Sequence, residues 1–111
     1  MTTVSDLFVR LCAGDLVNDS DVALVCHTSV HDVAEWRTET AASNAHTERR
    51  LHELSEVVEL IRRVMRDEAG RRWLHSANAE LAGERPLDLI ARGDHRRVCG
   101  LLLALAEGVT S

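Results

Sequence analysis

Apolar residues recur along most of this chain at three- and four-residue intervals, the repeat of a helix packed along one side. From Thr3 to Ala13, Val4, Leu7, Phe8 and Leu11 share a face, Thr3 or Ser5 can cap the start, and Gly14-Asp15 ends it. Asn18-Asp19-Ser20-Asp21 is a run of cap residues before a short apolar helix, Val22 to Cys26. After His27-Thr28, Ser29 caps a third helix from Val30 to about Arg37. Thr38 to Ala45 has no apolar period and reads as a loop. Thr47 then caps the longest helix, running to about Asp67, with Leu51, Leu54, Val58, Ile61 and Met65 in one stripe widened by Val57, Leu60 and Val64. Its other side alternates charge through Arg49, Arg50, Glu53, Glu56, Glu59, Arg62, Arg63 and Arg66, the pattern of a solvated face with local ion pairs.

Beyond Ala69-Gly70 the pieces shorten. Arg71 to His75 and Asn78 to Leu81 read as brief helical turns, and Pro86 suits the first turn of a helix carrying Leu87, Leu89 and Ile90. Gly93 closes that helix and Asp94 caps the last one, about His95 to Glu107, with Val98, Leu101, Leu102 and Leu105 inward and Gly108 as its stop. The pattern is all-α, and it divides the chain into residues 1–45, a long connecting helix at 46–68, and a small helical unit at 69–111.

Composition agrees with that reading. Only 3% of the 111 residues are aromatic and there is one proline, which suits long helices better than the filled faces of a sandwich or barrel. The net charge of −5 argues against a surface that grips nucleic acid all round. Every one of the 13 basic residues is arginine, read first as genomic bias and second as interface chemistry. The start of the chain carries no basic leader, and the longest apolar run, Leu101 to Ala106, is far short of the ~20 residues that cross a bilayer. A cytoplasmic protein with no membrane contact is expected.

Catalytic chemistry finds little support. Cys12, Cys26 and Cys99 have no metal-type spacing and read as small core residues in a reducing compartment. His27 and His31 have the four-residue spacing of two metal ligands, but Thr28-Ser29 between them is a turn and no third ligand is near. The six glycines are isolated, so no phosphate-cradling loop exists. No enzyme, metal or cofactor is expected.

Two short helices joined by a turn fit a helix-turn-helix. Val22-Ala23 supplies the small residues such a crossing needs, Val33 and Trp36 lock the pair, and His27 stands at the turn position that demands positive φ. If the second helix reads DNA, the contacting residues are Ser29, Val30, His31 and Arg37. Asp32 and Glu35 on the same helix oppose phosphate, so this fold of a DNA reader is poorly charged for reading.

The C-terminal third is the most telling stretch: Trp73-Leu74, Asn78, Leu81-Ala82-Gly83, Arg85-Pro86-Leu87-Asp88-Leu89-Ile90, Gly93, Arg97-Val98 and Leu105-Ala106-Glu107-Gly108. In this order and spacing these residues resemble the toxin-binding domain of the MbcA/ParS/Xre antitoxins, and a preceding helix-turn-helix is what that family carries. The resemblance implies a partner, a RES-domain toxin that depletes NAD, bound by the C-terminal unit and obstructed at its active site. It also implies repression of the shared operon by the N-terminal unit, and a homodimer or larger toxin–antitoxin assembly; Leu51, Val58 and Met65 on the helix from Thr47 face either this chain's own core or a second copy. Carried onto this chain, the toxin-binding region is 69–111, with Trp73, Asn78, Arg85, Glu107, Gly108, Val109, Thr110 and Ser111 as site residues; Glu107 and the tail beyond Gly108 are expected to enter the toxin's cleft. The alternative is a stand-alone helix-turn-helix transcriptional regulator whose C-terminal helices only dimerise it.

Overall fold

A computed structural model describes the backbone of residues 4–37 and 45–110, and side chains over 8–36 and 45–108. Within these residues there are seven α-helices and one 3₁₀ turn: α1 (Val4–Cys12), α2 (Asp19–Cys26), α3 (Val30–Arg37), α4 (Ala45–Val64), α5 (Asp67–Leu74), the 3₁₀ turn Ala79–Leu81, α6 (Pro86–Ala91) and α7 (His95–Thr110). One isolated antiparallel bridge joins Asn78 to Glu84, and no strand is formed among the described residues. The loop expected at Thr38 to Ala45 lies outside them up to Asn44.

The apolar stripe of α4 is the axis of the fold. Leu51, Leu54, Val57, Val58 and Ile61 are buried, and α1, α2, α5, α6 and α7 all pack on this helix. Phe8 and Leu11 of α1, Val22 and Val25 of α2, Val33 and Trp36 of α3, Leu87, Leu89 and Ile90 of α6, and Val98 and Leu102 of α7 join them in one continuous cluster. Phe8 meets the Trp36 ring edge-on, with centroids 6.5 Å apart. Of the two alternatives for the stripe, Leu51 and Val58 take the first and face this chain's own core.

Four expectations are corrected. The helix expected to run to Asp67 stops at Val64, and Arg66, in extended backbone, starts α5 instead. The break has a steric reason at Gly70. That glycine is buried, and a Cβ there would lie 2.5 Å from Ile61 Cγ2 and 2.8 Å from Leu16 Cδ1, so α5 docks where only glycine fits. Thr47 is not a cap but a buried residue inside α4. Leu105 is exposed at 40%, not inward. Gly108 does not stop α7, which continues to Thr110 because glycine costs a helix only about 1 kcal/mol.

α2 and α3 form as their cap residues require. Asn18 Oδ1 accepts from Asp21 N at 3.0 Å while Asp21 Oδ2 accepts from Asn18 N at 3.0 Å, a reciprocal capping box. His27 takes φ 57° and ψ 47°, the left-handed turn anticipated for it, and Val33 and Trp36 lock the two helices from inside.

Candidate functional site

The segment from α5 to α7 is built from short elements held by local polar bonds. Asn78 Oδ1 accepts from Glu80 N at 2.9 Å and caps the 3₁₀ turn, while Asn78 N donates to Glu84 O at 3.1 Å. Arg85 grips Asp88 with two donors, at 2.9 and 2.8 Å, across the first turn of α6. Arg92 grips Glu84 in the same forked way. These arginines hold the Glu84 and Asp88 carboxyls below the usual carboxylate range, Arg92 in the first case and Arg85 in the second. Gly93, at φ 88°, turns the chain out of α6 and passes so close to Arg50 that a Cβ would lie 2.6 Å from its Nη1.

Trp73, Asn78 and Arg85 are therefore tied into the fold: Trp73 is half-buried against the core, Asn78 caps, and Arg85 is paired. Glu107 and Gly108 are exposed near the end of α7. The Val109 and Thr110 side chains and the whole of Ser111 lie outside the described residues. Leu103 and Leu105 of α7, 50% and 40% exposed, were not anticipated as surface residues.

On α3, Ser29 Oγ accepts from Asp32 N at 3.1 Å, and Thr28 Oγ1 donates to Asp32 Oδ2 at 2.6 Å. The Thr28 bond leads in holding the Asp32 carboxyl below its ordinary range, so an acid faces outward where a phosphate contact would need a base. His31 is exposed and meets Glu35 at 3.1 Å, Val30 is exposed, and the Arg37 side chain lies outside the described residues.

Sequence reasoning missed a polar joint between the two ends of the chain. Asp21, 5% exposed on α2, takes Arg71 Nη1 of α5 at 3.0 Å and lies 2.8 Å from Nε2 of His75, the residue that caps the end of α5. His27 Nε2 donates to Ala91 O at 2.6 Å, tying the α2–α3 turn to the end of α6. Both joints link residues fifty or more positions apart, and no local spacing announces them.

Cys26 and Cys99 are poor nucleophiles. Burial pushes Cys26 up to about 12 against the pull of Arg50, and burial also raises Cys99. No group of three His, Cys, Asp or Glu side chains among the described residues could hold a metal ion, and no helix among them is long and apolar enough to cross a membrane. What the described residues offer is a helical surface that ends in α7, packed on α4 with Leu103 and Leu105 exposed.

Comparison with known proteins is consistent with that. Residues 60–108 match the antitoxin Xre/MbcA/ParS C-terminal toxin-binding domain, a match that begins in the last turns of α4. The chain is 30% identical over 89 residues to the mycobacterial cidal antitoxin MbcA of Mycobacterium bovis, covering 80% of this chain and 79% of that one. It is 33% identical over 92 residues to a probable mycobacterial cidal antitoxin of Mycobacterium tuberculosis, covering 83% and 78%. Its fold superposes on a chain of the crystal structure of the M. tuberculosis MbcT–MbcA toxin–antitoxin complex with a TM-score of 0.85, at 25% identity and over 98% of each chain.

Proposed function

The chain belongs to the Xre/MbcA/ParS antitoxin family, and from that membership we propose that it is the antitoxin of a toxin–antitoxin pair, acting by gripping its toxin rather than by chemistry of its own. We infer that the toxin is a RES-domain enzyme that degrades NAD, and that residues 69–111 bind it and obstruct its active site. The observation that carries this reading is the end-to-end likeness to a chain of a toxin–antitoxin complex.

Within that region the roles divide. Trp73, Asn78 and Arg85 act by holding the lobe in shape, since each is already engaged within the chain. We infer that Glu107, Gly108 and the segment 109–111 meet the toxin, with Glu107 pairing with basic groups that would otherwise hold a pyrophosphate. Operator contact through Ser29, Val30, His31 and Arg37 is the less supported half of the reading, because Asp32 and Glu35 share the helix with them. A stand-alone regulator would need that helix to work without a partner.

The test is co-expression of the tagged chain with the neighbouring open reading frame, followed by an assay of the complex for NAD consumption. A stable, silent complex that gains activity once this chain is stripped away is the expected result. A neighbour that fails to bind, or that binds and keeps full activity, overturns the antitoxin reading. Deletion of residues 109–111 should weaken neutralisation; unchanged inhibition would remove the tail from the mechanism.

A further inference from the structure

An open groove of about 620 Å³ runs between α4 and α7. Its acids are already engaged. Glu53 Oε1 accepts from Arg50 Nη1 at 2.9 Å, its other oxygen lies 3.7 Å from His95 Nδ1, and Glu56 Oε2 lies 3.4 Å from His95 Nε2. The outer bases are not. Arg49 and His52 on the α4 wall and Arg96 on the α7 wall are exposed and make no hydrogen bond or ion pair with any described residue. On a chain of net charge −5, a groove whose unpaired charge is positive is a local exception. The α7 wall also has an apolar part. Leu103 is 50% exposed, and beside it Gly100 leaves a notch, with no heavy atom within 4 Å of where its Cβ would be.

We propose that this groove docks an acidic peptide segment of a second protein, with carboxylates on Arg49 and Arg96 and one apolar side chain against Leu103 over the Gly100 notch. The chemistry favours that occupant. A guanidinium offers a carboxylate two parallel donors, and neither arginine would have to leave a partner inside this chain to do so. A nucleic acid fits less well, because Glu56, with its side chain 64% exposed on the same wall, would face evenly spaced phosphates. A peptide can place its acids at the two arginines and leave none opposite Glu56. A groove of this size makes a small interface rich in charge, so the binding is weak and falls with salt. The α4 wall, from Arg49 to Glu56, precedes residue 60, where the match to the toxin-binding domain begins, so the docking does not rest on the antitoxin reading.

The test is fluorescence anisotropy of a labelled peptide of glutamates and serines around one central leucine, titrated with the full chain. The same peptide with lysine for glutamate and a single-stranded oligonucleotide serve as comparisons. The acidic peptide should bind, more weakly as salt rises, and the lysine peptide should not. Arg49→Glu and Arg96→Glu should each weaken binding about tenfold, since an attraction becomes a repulsion. Gly100→Leu fills the notch with a better helix former and should also weaken binding, while the helical circular dichroism stays that of the parent. Arg63→Glu, equally exposed but outside the groove, should leave the affinity unchanged. The proposal is overturned if the acidic peptide does not bind, or if Arg63→Glu weakens it as much as the groove variants do. An oligonucleotide that binds more tightly through Arg49 and Arg96 overturns it in favour of a nucleic acid. Self-association of the parent chain that Arg49→Glu abolishes overturns it in favour of a second copy. The assay uses no toxin, so this docking and the antitoxin reading fail separately.

Discussion

The two ends of this molecule are made from the same kind of short helices but are held in different ways. The α2–α3 pair is closed by caps and a left-handed turn, with its outward polar groups bonded to one another: Thr28 and Ser29 to Asp32, His31 to Glu35. The α5–α7 segment is closed by arginine forks on Glu84 and Asp88 and ends in a helix that keeps Leu103 and Leu105 exposed. Both ends keep apolar side chains exposed, Leu24 and Val30 at one and Leu103 and Leu105 at the other, so what separates them is how each is closed, by caps at one and by arginine forks at the other. The contrast teaches that a helix-turn-helix shape and a working nucleic-acid surface are separate properties. The shape needs small residues, a turn and a lock, whereas the surface needs positive charge.

The largest test of the comparison asks whether the two ends are independent at all. Leu54 lies fully buried in the cluster they share, so Leu54→Ala should cost about 2–5 kcal/mol by denaturant unfolding. Both ends should melt in one transition; two separated transitions would show that the core does not couple them. Next comes the joint between α2 and α5. Asp21→Asn removes the charge facing Arg71 and His75 and should cost about 2 kcal/mol, below the full cost of breaking a buried pair because Arg71 is partly exposed. A loss under half a kilocalorie would mean the joint only bridges the ends without stabilising them.

Acid should then test the arginine forks. The Glu84 and Asp88 carboxyls are held below their ordinary values by Arg92 and Arg85, so they contribute stability above the unfolded-state value of about 4, lost as pH falls through the lower folded value. Asp88→Asn should flatten part of the decline in stability below pH about 4, read by circular dichroism; an unchanged acid limb would sink that assignment. The smallest effect belongs to α3. Val30→Ala should shift stability by less than about 0.5 kcal/mol and leave toxin neutralisation unchanged. Binding of the parent chain to its own promoter should be weak, and Asp32→Arg should strengthen it if charge is what the helix lacks, as a gel-shift titration over salt would reveal.

Much of this architecture is written locally and was legible for that reason. The α4 stripe, the Asn18 cap, the left-handed His27, Pro86 at the start of α6 and the Gly93 turn all follow from backbone sterics and a 3.6-residue repeat, which a short stretch of sequence determines alone. The C-terminal pattern likewise marked the family before any fold was known. What the sequence left open depended on which distant segments meet. Gly70 marked only a change of pattern in the sequence but in three dimensions sits between Ile61 and Leu16, and its need for a missing Cβ is set by those neighbours. Asp21 looked like a cap residue and also anchors Arg71 and His75 across the chain. Leu105 shared the inward period of α7 and yet is exposed, because periodicity tells which side of a helix is apolar and not how far the core beneath it extends. The sequence alone settled most of the elements, several of their caps and the family. Tertiary structure decided the joints between ends and which apolar residues stay uncovered, because those depend on contacts between positions that no local repeat relates.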